Sequence, residues 1–158
     1  RVLEQELAIN DIALLHEKLA QAGSILFLAD NAGETVFDLL LIETLAKPVF
    51  YAVKGGPVLN DATREDALAA GIDKVAEILD NGLQAPGTIL PLSSPDFQKR
   101  FMEAELILAK GMGNYETLSE VKGPIFFLLQ VKCPVIARDI GAKIGSTIVK
   151  KGEGFKQR

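Results

Sequence analysis

Tryptophan is missing from this chain, and histidine and cysteine occur once each, as His16 and Cys133. A lone cysteine cannot close an intramolecular disulfide, and with no charged-then-apolar leader at the amino terminus the chain reads as cytoplasmic. His16 falls on a first helix far in sequence from the polar loops, as a surface residue. A zinc cluster and a Ser-His-Asp or Cys-His site therefore lack an essential member. Long hydrophobic runs are also lacking. Ile125 to Val131, broken by Gln130, is well short of the roughly 20 residues that span a bilayer, which argues against a membrane partner. Positive charge is outweighed: a net charge of −4 and a pI near 5.1 give no basic field for a polyphosphate backbone, which argues against nucleic acid. There is no internal repeat and no low-complexity stretch. The chain starts at Arg1 and runs straight into a helical pattern, as expected of a fragment or a processed product.

What is present describes one globular domain: 158 residues, 48% hydrophobic and 24% charged. Val2 to Ala22 carries leucines at helical spacing, with Asn10 and Asp11 as a break or a fresh cap, and Gly23 ends it. Ile25 to Ala29 is an apolar run of the kind that suits a strand covered on both faces, and Glu34 to Leu45 follows as a helix with apolar positions at Val36, Phe37, Leu40 and Leu41. Val49 to Val53, Val75 to Leu79, Leu106 to Ala109, Ile125 to Val131 and Ser146 to Lys150 read as further strands. Helices are expected over Ala62 to Ala70, capped by Asp61, from Pro95 to about Ala104 behind Ser93 and Ser94, and over Pro134 to Ile140. Lys54 to Pro57 reads as a loop, and the tail from Lys151 as loose. The alternation predicts a three-layer α/β/α, Rossmann-like domain with a mostly parallel sheet of five or six strands. By residue, this gives an amino-terminal helical segment over 1–22, the α/β domain over 23–150 and the tail over 151–158.

Three of these strand ends are polar: Asp30 with Asn31, Asn60 with Asp61, and Lys110 through Asn114. In open α/β sheets ligands bind at the carboxyl ends of strands, and the helix after Gly33 would turn its amino terminus toward that edge. Asp30 repels a bare phosphate unless a divalent cation lies between them. Two aspartates and an asparagine suit Mg²⁺ or Mn²⁺, which take hard oxygen ligands and keep waters beside a phosphate. Taken singly, Asp61 reads as a helix cap, Asp30 and Asn31 as a turn, Glu34 as a first-turn acid outside the core set, and Cys133 as a small apolar residue.

The strand followed by DNAGE, NDAT with Asp66 five residues past Asp61, AKGMGNYE after a strand, and VKCPVIA occur in that order. Together they resemble the DUF89 family of metal-dependent phosphatases, also called damage-control phosphatases, over about Ile25 to Val149, most closely its single-domain microbial branch. The resemblance implies hydrolysis of small phosphorylated metabolites or sugar phosphates. It implies that Asp30, Asn31 and Asp61 bind Mg²⁺ or Mn²⁺, with Asp30 and Asp61 catalytic and Asp30 either nucleophile or the group that orients water. It further implies that Lys110 and Lys132 contact the phosphate and that Gly111, Met112, Gly113 and Asn114 wrap the substrate beside Asp30 and Asn31. The family carries a helical region ahead of the organising strand, of which only Val2 to Ala22 would remain. Two other readings stand beside this one. One is a non-catalytic nucleotide or dinucleotide module, though the GxGxxG fingerprint is missing. The other is a scaffold whose partner is the missing region or a second copy of the chain, which leaves a homo-oligomer open.

Overall fold

The computed structural model describes residues 6–155. The chain alternates strand and helix: β1 (Ile9–Asn10), α1 (Ile12–Gln21), β2 (Ile25–Leu28), α2 (Thr35–Leu45), β3 (Val49–Val53), α3 (Arg64–Ala70), β4 (Glu77–Asp80), α4 (Pro95–Glu103), β5 (Ile107–Lys110), α5 (Gly111–Leu118), β6 (Ile125–Gln130), α6 (Pro134–Ile140) and β7 (Thr147–Lys151). The strands form one sheet in the order β1-β7-β6-β5-β2-β3-β4, parallel except where β7 runs against β6. This is the expected α/β architecture with a longer sheet. The extra strand is the two-residue β1, too short for any periodicity to reveal.

β2 is buried along its whole length, and its residues serve both faces of the sheet. Leu26 and Leu28 pack with Phe97, Phe101, Tyr115 and Leu118 from α4 and α5. Ile25 and Phe27 pack on the other side with Tyr51, Ile42 and Ala67. Covering on both faces is why these strands read as unbroken apolar runs. From β2 the chain steps to β3 on one side, then returns to place β5 on the other. That reversal opens a crevice beyond the carboxyl ends of β2 and β5, where α/β proteins bind ligands.

Several expectations change in detail. The predicted helix over Val2–Ala22 breaks at Asn10 and Asp11: residues 1–5 lie outside the described part, Ile9–Asn10 joins the sheet, and helix begins only at Ile12. The Asp11 carboxylate is not a cap, because it accepts from the Lys151 backbone N–H at 2.8 Å. The tail is not loose through residue 155. Lys151 ends β7, the Gly152 N–H donates to the Ile125 carbonyl, and Phe155 packs on Phe126 at 4.8 Å between ring centres; 156–158 lie outside the described residues. α2 buries Thr35, Asp38 and Ile42 and leaves Val36, Phe37 and Leu40 exposed. A helix apolar on nearly every side has no unique inward face in its sequence, and the face buried here is the one that carries Asp38.

Asp61 does not cap α3. Thr63 does, in a reciprocal capping box with Asp66. Thr63→Ala is expected to cost about 1 kcal/mol in chemical denaturation through loss of this cap.

Candidate functional site

The crevice is built by backbone pairing before any side chain enters it. Residues 30–32 run beside residues 60–62 as a short antiparallel bridge, Asn31 against Asp61. The Ala32 N–H donates to the Asn60 carbonyl and the Ala62 N–H to the Asp30 carbonyl, both at 2.8 Å. Leu59 takes a left-handed conformation, φ 48°, at the head of this turn, a strained state for a non-glycine residue. The DNAGE and NDAT segments, distant in sequence, are thus zipped together at the ends of β2 and β3.

Asn31 is held for its place. Its Oδ1 accepts from the Gly33 N–H at 2.8 Å, capping a single turn over Ala32–Glu34 that leads into α2. A carbonyl oxygen has a second lone pair, so this bond leaves room for another contact. Asp61 pairs at 3.5 Å with Lys54, which is 5% exposed and also donates to the Gly87 carbonyl. Burial lowers the affinity of Lys54 for its proton, and Asp61 opposes that shift.

Asp30 has no such partner. Among the described residues no hydrogen bond or ion pair engages its carboxylate. Burial, then Glu34, then Asp61 push its carboxyl up to about 6. Gly111 makes room for it: a Cβ there would lie 2.1 Å from Asp30 Oδ2, and φ of +83° suits glycine besides.

Across the crevice, Lys110 ends β5 and binds two carboxylates. Its Nζ donates to Asp38 Oδ1 at 2.6 Å and to Glu34 Oε2. Asp38 is 2% exposed and accepts at its other oxygen from the Tyr51 hydroxyl at 2.7 Å. Burial works against the charge on Lys110, but Asp38 and then Glu34 more than offset it, so Lys110 holds its proton more firmly than a free lysine. Glu34, set outside the core set by sequence, therefore belongs at the site.

The residues expected to wrap a substrate divide. Gly111 and Met112 line an open pocket of about 340 Å³ with Asp30, Glu34, Lys110 and Lys132. The pocket continues over Leu128, Gln130, Thr147 and Val149 at the ends of β6 and β7. Lys132 is exposed at its rim, and its backbone N–H donates to Met112 Sδ at 3.2 Å. Gly113 and Asn114 face elsewhere. Gly113 packs on Gly87, while Asn114, 2% exposed, donates to the Ala29 and Lys110 carbonyls and accepts from the Thr88 hydroxyl. The KGMGN segment is not a loop, because α5 begins at Gly111. Asn114 then faces inward one turn along and bolts α5 to β2. His16 is exposed, as read from sequence, while Cys133, expected as a small apolar residue, is only half-buried against the core.

The site residues that sequence reading passes over are Lys54, Asp38 and Tyr51. Lys54 had a signal: it follows the buried run Val49–Val53 as Lys110 follows Ile107 to Ala109, and a lysine there must reach a partner or solvent.

Asp30, Glu34, Asp38 and Asp61 outnumber Lys54 and Lys110, and Asp30 is left unpaired within that excess of negative charge. No group of three or more His, Cys, Asp and Glu residues among those described is arranged around a metal position. Asp30, Asn31 and Asp61 offer instead two carboxylates and an amide oxygen, a small set of hard donors of the kind that Mg²⁺ takes together with water.

Comparison with known proteins finds relatives over nearly the whole chain. The model of the damage-control phosphatase ARMT1-like domain matches residues 1–148. A damage-control phosphatase of Pyrococcus horikoshii is 39% identical over 158 residues, covering 97% of this chain and 55% of its own length. A damage-control phosphatase of Archaeoglobus fulgidus is 42% identical over 155 residues, covering 95% and 53%. The crystal structure of a DUF89 family protein from Pyrococcus horikoshii superposes with a TM-score of 0.92 at 40% identity, over 96% of this chain and 55% of that one. The chain thus spans about half the length of the relatives it matches. With the family model matching nearly the whole chain and the solved relative sharing its fold, it belongs to the DUF89, or ARMT1-like damage-control phosphatase, family.

Proposed function

We propose that this chain carries the phosphate-handling site of a divalent-metal-dependent phosphatase acting on small phosphorylated metabolites, sugar phosphates among them. The observation that carries the proposal is the unpaired Asp30 carboxylate, which lies close to Asp61 and lines a pocket together with Lys110 and, at the rim, Lys132. The two relatives from Pyrococcus horikoshii and Archaeoglobus fulgidus, both damage-control phosphatases, support it.

In this reading Asp30, Asn31 and Asp61 would hold Mg²⁺ or Mn²⁺. Such a cation, when bound, polarises a phosphoryl oxygen and lowers the pKa of a coordinated water. The chain supplies the rest. Lys110 and Lys132 neutralise the phosphoryl oxygens and stabilise charge as the ester bond breaks. Met112, Leu128 and Val149 present an apolar wall to the organic part, and Lys54 keeps Asp61 in place.

The test is phosphate release from a panel of sugar phosphates, with and without chelator, beside Mn²⁺ calorimetry. Activity and Mn²⁺ binding should both disappear in Asp61→Ala, and activity should return when metal is restored to the chelated wild type. Turnover indifferent to chelation would overturn the proposal.

A further inference from the structure

Lys110 has two acidic partners in unlike settings. Asp38 is 2% exposed and anchored by the Tyr51 hydroxyl, whose ring stacks on Phe27 at 5.3 Å between centres. Glu34 is 41% exposed on the single turn before α2, and it lines the same pocket as Lys110 and Lys132. A carboxylate on a partly buried ammonium occupies the place that a phosphoryl oxygen would take, since both accept charge-assisted hydrogen bonds from the same donor. The exposed partner gains back solvent when it lets go, whereas the buried one would be left without compensation.

We propose that Asp38, braced by Tyr51, is the positioning residue that holds the Lys110 ammonium at the pocket wall, and that Glu34 is a placeholder which an incoming phosphoryl group displaces. This rests on the reading of Lys110 as a phosphate contact. It divides the two carboxylates by function: Asp38 stays through binding, and Glu34 swings into solvent.

Substitution separates the roles by sign. Asp38→Asn and Glu34→Gln each remove one negative charge beside Lys110, so through charge alone both would tighten anion binding. Positioning predicts opposite outcomes. In calorimetric titration of the Mn²⁺-loaded chain with inorganic phosphate, Glu34→Gln should bind about threefold more tightly and Asp38→Asn about tenfold more weakly. Tyr51→Phe keeps the ring stack and removes only the brace, so it answers where Asp38→Asn fails to fold; it should weaken binding about threefold. Tighter binding in Asp38→Asn, unchanged binding in Tyr51→Phe, or no tightening in Glu34→Gln would overturn the inference. Lys110→Ala keeps the failures apart. If it binds phosphate as well as wild type does, the phosphate reading of Lys110 falls and this inference with it. If it loses binding while the other variants do not diverge, only the inference falls.

Discussion

Asp30→Asn is expected to lower phosphate release by about 10³-fold while making the metal-free chain more stable. The two effects have one cause. The Asp30 carboxylate is partly buried, unpaired and close to Glu34 and Asp61, and its carboxyl is pushed up to about 6 from an ordinary 3.8. For a group still partly solvated, that displacement disfavours the ionised fold by about 2 kcal/mol at neutral pH. Because the folded pKa is raised, the contribution of Asp30 to stability is fully present below about pH 4 and is lost as pH climbs through about 6. The asparagine variant has nothing to lose. Denaturation curves in chelator should therefore coincide near pH 3.5 and separate to a constant gap above about pH 6.5, with the variant melting about 5 °C higher. A side chain kept for structure would behave oppositely, so a variant that is both inactive and less stable contradicts the assignment.

Gly111→Ala should have a similarly large effect by a different route. The left-handed conformation at Gly111 costs about 1–2 kcal/mol for any residue with a Cβ. The new methyl would also lie 2.1 Å from Asp30 Oδ2 and 2.2 Å from its Cγ, so the carboxylate must rotate out of the crevice. Activity should fall as far as in Asp30→Asn, with stability reduced rather than raised. Gly141 provides the control. It has nearly the same φ, +76°, ending α6, but an added Cβ there meets nothing within 4 Å. Gly141→Ala should cost about 1 kcal/mol in denaturant and leave turnover intact. If the two variants behave alike, the contact between Gly111 and Asp30 has no functional weight.

The parts of this site that sequence makes plain share one physical property. A strand buried on both faces is apolar throughout, so the first charged residue after it marks the strand end, and Asp30 and Lys110 stand out for that reason. Lys54 obeys the same rule, but the glycines and proline after it make the segment look like an ordinary loop. Asp61 is harder, because a single aspartate ahead of a helix looks like a cap; the spacing of Thr63 and Asp66 was the better signal. The glycines at 111 and 113 lower helix propensity, so α5 is hidden at its start and revealed only by packing. Asp38 and Tyr51 are beyond reach of periodicity. Their bond joins a helix to a neighbouring strand across the sheet face, and nothing local marks an acid within an apolar helix as paired rather than solvated. The face of α2 that carries this acid is the buried one, and Val36 and Phe37 lie exposed.

The central claim is that DNAGE and NDAT converge to hold a cation opposite Lys110, and manganese anomalous scattering tests it most directly. Crystals soaked in Mn²⁺ should give one strong peak about 2 Å from oxygens of Asp30, Asn31 and Asp61, with the Asp30 carboxylate turned onto it and Lys110 still on Asp38. A peak held by other residues, or no peak while Asp30 remains without a partner, would contradict the account.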